Sequence, residues 1–267
     1  MFQPLYIAAT GMNAFEEQMI DITNNLSNAR TVGFKRGRTE MESLFYLEKA
    51  FQRRLEEEMM RTEYPRPFPK IEFGTGVRVA ATPKDFSQGT IEITNNPLDL
   101  AIKGEGFFQL RAQDGSIVYS RAGNFHIDNE GNMVDPNGHL LEPEVRLPEG
   151  TTNVIIRRDG TILVSVNNEL EQTEIGQVTL ARFTNPAGLK SIGLNIFEAT
   201  TASGEPMIGI ASEEGFGEIS QFSLELSNVD VIAEMMRMVM VQRVFDTVSK
   251  AVQAYDGMLE SIQRMKA

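Results

Sequence analysis

The chain contains no cysteine, so neither a disulfide framework nor thiolate chemistry is open to it. A chain without disulfides is also free to pass unfolded through a channel. Histidine is scarce too. His126 and His139 both sit beside turn residues, and neither has the companion cysteine or spaced carboxylate pair that a metal site needs. They read as exposed hairpin histidines. No apolar run reaches the roughly 18 residues that a membrane span requires. The first residues, Met1-Phe2-Gln3-Pro4-Leu5, lack the basic and apolar regions of a secretory signal. The expectation is a chain that keeps its N-terminus, whether it stays in the cytoplasm or is exported uncleaved.

Catalytic patterns are equally thin. Asp128-Asn129-Glu130-Gly131-Asn132 has the look of a calcium loop, but its glycine stands at the fourth position and not the sixth. Turn chemistry explains it better. Lys103-Gly104-Glu105-Gly106 lacks the further glycine and the following helix of a phosphate loop. No serine has a histidine partner or a nucleophile elbow. Acidic neighbours such as Glu213-Glu214 and Glu142 with Glu144 read as solvated surface, because spacing alone cannot pick glycosidase carboxylates. No catalytic, cofactor-binding or metal residue is assigned, and no cofactor is expected.

What is present is a chain of 267 residues, 41% hydrophobic and 23% charged, long enough for one large domain or two modest ones. The net charge of −12 argues against nucleic acid as a partner. Its distribution says more. Residues 73–227 hold ten basic and 21 acidic side chains, whereas residues 1–40 and 228–267 are each balanced. Neutral ends can crowd together without repulsion, and an acidic middle can face solvent, where salt screens it beyond roughly 8 Å.

Both ends carry a heptad stripe. Leu5, Ala8, Met12, Phe15, Met19, Ile22, Leu26 and Ala29 recur at alternating spacings of three and four. Met238, Val241, Phe245, Val248, Val252, Tyr255, Leu259 and Ile262 repeat the pattern. The first stripe ends in Asn24-Asn25-Leu26-Ser27-Asn28 and then Thr31-Val32-Gly33-Phe34, which reads as a helix stop with a residue able to adopt positive φ. Ser227-Asn228 is the expected N-cap pair of the second helix, with Asp230 and Glu234 suited to its positive end. Met235, Met236, Met238 and Met240 make the start of that helix adaptable.

Between the helices, Asp114-Gly115, Glu130-Gly131, Asn137-Gly138 and Asp159-Gly160 punctuate short apolar runs. They predict hairpins and an antiparallel β-domain. Residues 41–72 form a separate piece. Leu44, Leu47, Phe51 and Leu55 suggest a charged amphipathic helix, and Tyr64-Pro65-Arg66-Pro67-Phe68-Pro69 must be extended. This insert reads as an arm reaching a neighbour, or as a flap on its own domain. The fold class is therefore α+β: terminal helices paired in a coiled-coil-like inner domain, an antiparallel β-rich outer domain, and an inserted arm. The corresponding boundaries are residues 1–40 with 227–267, residues 76–226, and residues 41–75.

Each stripe residue contributes roughly 1.5–3 kcal/mol if fully buried. A two-helix hairpin would still leave Ile7, Ile20, Ile232, Met235, Met236, Val239 and Met240 wet. That surplus asks for more partners, and identical subunits supply them. An intramolecular hairpin in a two-domain monomer is the plainer alternative.

Residues 24–35 carry a longer pattern: Asn24, Asn25 and Asn28, then Thr31, Gly33, Phe34 and Lys35. It resembles the N-terminal signature of bacterial flagellar rod and hook proteins. Asp99-Leu100-Ala101-Ile102-Lys103-Gly104-Glu105-Gly106-Phe107-Phe108 is similar to the start of that family's β-domain, and Tyr119-Ser120-Arg121-Ala122-Gly123-Asn124-Phe125 to its next element. Ser227-Asn228-Val229-Asp230-Val231 and Gln242-Arg243-Val244-Phe245 resemble its C-terminal signature. Gly74-Thr75-Gly76-Val77, the preceding insert and the chain length are most similar to the distal-rod branch. Residues 48–61 depart from that branch in being more charged and more helical in pattern.

The resemblance implies a structural, non-enzymatic subunit. It implies a hollow helical polymer of the chain with itself, transmitting torque through the periplasm. It also implies contacts with proximal rod proteins, hook protein and the P- and L-ring proteins, and uncleaved passage through the flagellar type III export apparatus. A proximal-rod or hook subunit and a secreted β-scaffold hydrolase are the rival readings.

Overall fold

The computed structural model describes residues 3–48, 72–166 and 172–266. Within them the chain is α+β, and it divides into two compact units. The helical unit comprises described residues within 1–24, 38–82 and 232–267, and the β-body those within 25–37 and 83–231.

In the helical unit, α1 runs over Gln3–Ser27 and α2 over Val231–Lys266, and the two pack together. Pro4 falls in the first turn of α1, where its missing N–H would have had no helical partner. The stripes are the covered faces. Leu5, Met12, Phe15, Met19 and Leu26 are half-buried and Ile22 is buried. On α2, Met238, Phe245, Val248, Val252, Tyr255 and Leu259 are half-buried, Val241 is buried, and Ile262 is exposed. The flanking Ile7, Ile20, Ile232, Met235, Met236, Val239 and Met240 stay exposed, as a helix pair alone would leave them.

One of the two helix ends differs from the sequence expectation. After Ser27 the chain leaves α1 through tight turns, Asn28 N–H donating to the Asn25 carbonyl and Ala29 N–H to that of Leu26. As the stop predicts, one residue of the segment has positive φ; it is Gly33 and none of the asparagines among residues 24–28. At the other end Ser227-Asn228 is not the N-cap pair. Helix α2 begins at Val231, so Asp230 holds the cap position and Glu234 lies in the first turn. There Glu234 is buried and accepts from Arg237 Nη1 at 2.8 Å.

The described part of the insert is β and not helix. Strand Glu40–Ser43 pairs antiparallel with Val77–Ala81, and Tyr46–Glu48 with Glu72–Gly74. Leu44 lies between two strands and Leu47 within one, because partners some thirty residues on offer a ladder that local spacing cannot reveal. Phe51, Leu55 and the proline-rich run lie outside the described residues. This ribbon meets α1 at Gly76, where a Cβ would stand 2.2 Å from Thr10 Oγ1.

The β-body is antiparallel. Its largest sheet has nine strands, with Phe107–Arg111 pairing Ile117–Ser120, Leu140–Glu142 and Thr179–Arg182. A three-stranded sheet joins Thr151–Ile156, Thr161–Val166 and Thr173–Gln177. The four predicted Asx-Gly and Glu-Gly turns close hairpins, each with its glycine at positive φ. Strand Phe107–Arg111 is buried on both faces. Successive side chains point to opposite sides, so Phe108 and Leu110 join the main core around Leu100, Phe125 and Ile162. Phe107 joins a second cluster with Tyr119, Phe183 and Phe197, its rings meeting edge to face.

Candidate assembly site

Two features of the chain are organised beyond what a plain core requires: the helical stripes and the signature loop. The loop, residues 25–37, belongs to the β-body and is pinned there residue by residue. Asn25 is buried. Its Nδ2 donates to the Gly37 carbonyl and its Oδ1 accepts the Gly37 N–H, both at 2.9 Å. One amide side chain thus closes the loop at both ends of its polar group. Asn28 Oδ1 accepts from Thr31 Oγ1 at 3.2 Å, and Phe34 N–H turns back to the Thr31 carbonyl. Phe34 is buried, with Lys84 Nζ 5.1 Å from its ring centroid.

Gly33 shows why the signature needs glycine. Its φ is +68°, and a Cβ there would stand 2.5 Å from the Ala122 backbone nitrogen. Its N–H donates to the Glu225 carbonyl at 2.8 Å. Gly33→Ala should therefore cost more than the ~1–2 kcal/mol of a left-handed alanine, because backbone must also move. A thermal melt should show the β-body losing several degrees; an unchanged midpoint would contradict this packing.

Lys35 ends the signature in a buried ion cluster. Its Nζ donates to Glu225 Oε1 at 2.6 Å and to the Ser87 carbonyl at 2.8 Å, with both charged side chains fully buried. Glu225 Oε1 also accepts the Gly89 N–H, and Oε2 accepts from Arg121 Nη1 at 3.3 Å. Arg121 Nη2 donates to the Gly104 carbonyl at 2.9 Å. Burial pulls the Lys35 ammonium below the ordinary lysine range, and the Glu225 carboxylate opposes that pull. Burial likewise lowers Arg121, again against Glu225. Around this centre Asn195 Nδ2 donates to the Val32 carbonyl, and Asn228 Oδ1 accepts the Arg36 N–H.

Among the described residues the arrangement is one of fixation. The structure brings Asn25, Asn28, Thr31, Gly33, Phe34 and Lys35 into one docked loop, while Asn24 stays on exposed helix surface. It brings the two stripes into the other unit. Sequence reasoning missed Glu225 as the partner of Lys35 and Arg121 as the second cation on that carboxylate, although Arg121 stood in a segment already singled out. The local pattern points the wrong way for Glu225. In Phe222-Ser223-Leu224-Glu225-Leu226 the alternation would turn the apolar residues inward, whereas Ser223, Glu225 and Ser227 form the buried face. The histidines take turn roles: His139 Nδ1 lies 2.9 Å from Asp135 Oδ2, and His126 is exposed. Asp128 Oδ1 accepts the Glu130 and Asn132 N–H groups, which is the turn chemistry its sequence suggested.

Three family models match the chain in order. Residues 5–35 match the flagella basal body rod protein model, residues 101–164 the flagellar hook protein FlgE/F/G D1 domain, and residues 220–265 the flagellar basal body rod FlgEFG protein C-terminal model. The flagellar basal-body rod protein FlgG of Borreliella burgdorferi is 38% identical over 100% of this chain and 99% of its own length. That of Buchnera aphidicola from Schizaphis graminum is 36% identical over 99% of this chain and all of its own. That of Agrobacterium fabrum is 36% identical over 97% and 98%.

Proposed function

The chain belongs to the flagellar basal-body rod and hook family, is most like its FlgG members, and is a structural subunit and not an enzyme; from that premise we propose that it builds the distal rod. In this reading copies of the chain assemble into a hollow helical tube that carries motor torque through the periplasm to the hook. The observation that carries it is the incomplete cover on the terminal helices. The stripes are occupied by the helix pair, yet Ile232, Met235, Met236, Val239 and Met240 on α2 and Tyr6, Ile7 and Ile20 on α1 remain open. An exposed apolar face of this size on paired helices is the surface that further helices of identical subunits cover, in coiled-coil fashion.

In the assembled rod, residues 1–40 and 227–267 act as the inner assembly domain, except for the loop 25–37 that packs in the body; residues 41–75 act as an arm that bridges to a neighbour, and residues 76–226, except strand Val77–Ala81, as an outer body. Residues 5–29 and 231–262 carry the axial contacts: the stripe residues, from Leu5 to Leu26 and from Met238 to Ile262, hold the helix pair together, and the exposed residues beside them face the neighbouring copies. The acidic balance of residues 73–227 suits an outward-facing surface. The docked signature loop joins helix to body, with Lys35 as its anchor. The partners in this scheme are the chain itself, the proximal rod proteins on one side, the hook protein on the other, and the P- and L-ring proteins around it. Delivery is through the flagellar type III export apparatus without signal cleavage.

Immunogold labelling of isolated basal bodies with antibody to this chain tests the position. Gold should fall on the rod segment adjoining the hook. Label confined to the base of the rod, or to the hook itself, would overturn the distal assignment in favour of a paralogue.

A further inference from the structure

The ion cluster around Glu225 is not balanced. Lys35 and Arg121 face one buried carboxylate, and Asp85 and Glu105 add only weaker attraction from exposed positions. Arg121 is only 4% exposed, and its Nε is buried without a hydrogen-bond partner among the described residues. A buried guanidinium N–H left unpaired is costly. Arg121 lines a cavity of about 190 Å³, where Arg182 also stands, half-buried, with its Nη1 donating to the Gly215 carbonyl at 3.4 Å and its guanidinium 5.3 Å from the Phe216 ring centroid. Phe86, Phe107 and Phe183 form apolar walls, and Glu105 lies at the edge. The Arg121 guanidinium stacks 5.3 Å from the Phe107 ring centroid, which holds it in place.

We propose that this cavity is a carboxylate-binding pocket, and that a glutamate or aspartate side chain from a second copy of the chain fills it. Two arginines beside an apolar slot match a carboxylate carried on a short methylene stem, since the guanidinium N–H groups not already donated pair strongly with carboxylate oxygens. A second copy is the source for a reason of charge. Residues 73–227 carry 21 acidic side chains against ten basic, so the body of any neighbouring copy presents mainly carboxylates to a rare cationic hollow. The inference rests on the self-assembly reading above and adds to it a polar lock between bodies, separate from the apolar helix contacts.

The test uses the full chain and glutarate as a free carboxylate probe. The Arg121 Nε–H resonance is followed by NMR during glutarate titration, and self-association is followed by sedimentation in glutarate and in chloride of equal ionic strength. In the parent chain glutarate should shift the resonance and raise the concentration needed for association roughly tenfold, the loss of one charge-assisted pair. Arg182→Gln should weaken both responses and associate poorly from the start, whereas Arg182→Lys should recover part of the association. Glu105→Gln should bind glutarate more tightly, because an edge carboxylate no longer competes. No resonance shift in the parent overturns the pocket itself. A shift with association equal in glutarate and chloride overturns the second copy as its source. A parent chain that shows the shift but never self-associates refutes the assembly reading and that source together, while leaving the pocket's chemistry measured.

Discussion

Glu225→Ala should lower the thermal midpoint of the β-body by roughly 10 °C, since breaking a buried ion pair from one side costs ~3–5 kcal/mol. The size follows from what is left behind. Glu225 is fully buried and accepts from Lys35, Arg121 and the Gly89 N–H. Without it two cations remain inside the protein with no carboxylate between them. The signature loop would also lose its anchor, because Lys35 would keep only the Ser87 carbonyl. Calorimetry of the purified chain reads the midpoint, and limited proteolysis reads whether residues 25–37 open. Glu225→Gln, which keeps shape and some hydrogen bonding, should fall between parent and alanine. A midpoint within about two degrees of the parent, the size of a surface change, would mean the cluster is not holding the loop.

Ile22→Asp should abolish polymer formation while sparing the β-body. Ile22 is 4% exposed and is the most covered stripe residue of α1. A carboxylate there must either be buried uncharged or force the helices apart, at a cost of several kcal/mol. Val241→Asp, at the most covered stripe position on α2, should do the same from the other side. The β-body has its own core around Leu100, Phe108 and Ile162, so its melting should not change. Sedimentation of the purified chain and swarming of cells carrying the variant read the two halves of this expectation. Assembly and swarming at the parent's level would show that the subunit contacts do not depend on the helix pair that the stripes hold together.

The stripes were legible because sixteen positions at strict three-four spacing have one structural reading, and neither helix end needed to be right for that. The hairpins were legible because Gly115, Gly131, Gly138 and Gly160 each follow a polar residue and each adopt positive φ. Residues 40–48 misled for a definite reason. Leu44 and Leu47 fit a helical spacing over too short a window, and the strands that pair with that segment start at Glu72 and Val77. The ion cluster was hidden by distance, since Lys35 and Glu225 lie 190 residues apart. Asn228 looked like a cap because Asn favours caps. Its side chain instead accepts from Arg36 and donates to the Asp85 carbonyl, so the same hydrogen-bonding capacity serves the loop and not the helix. The signature residues were visible as a pattern, but what each one does became visible only once Gly33, Ala122 and Glu225 were seen together.

Imaging basal bodies from a strain of the source bacterium lacking this chain tests the central claim most directly. The account predicts bodies that keep the base of the rod but lack the segment beyond it and carry no hook. Restoring the chain should restore both, and restoring it with Ile22→Asp should not. Rods of full length bearing hooks in the deletion strain would contradict the account.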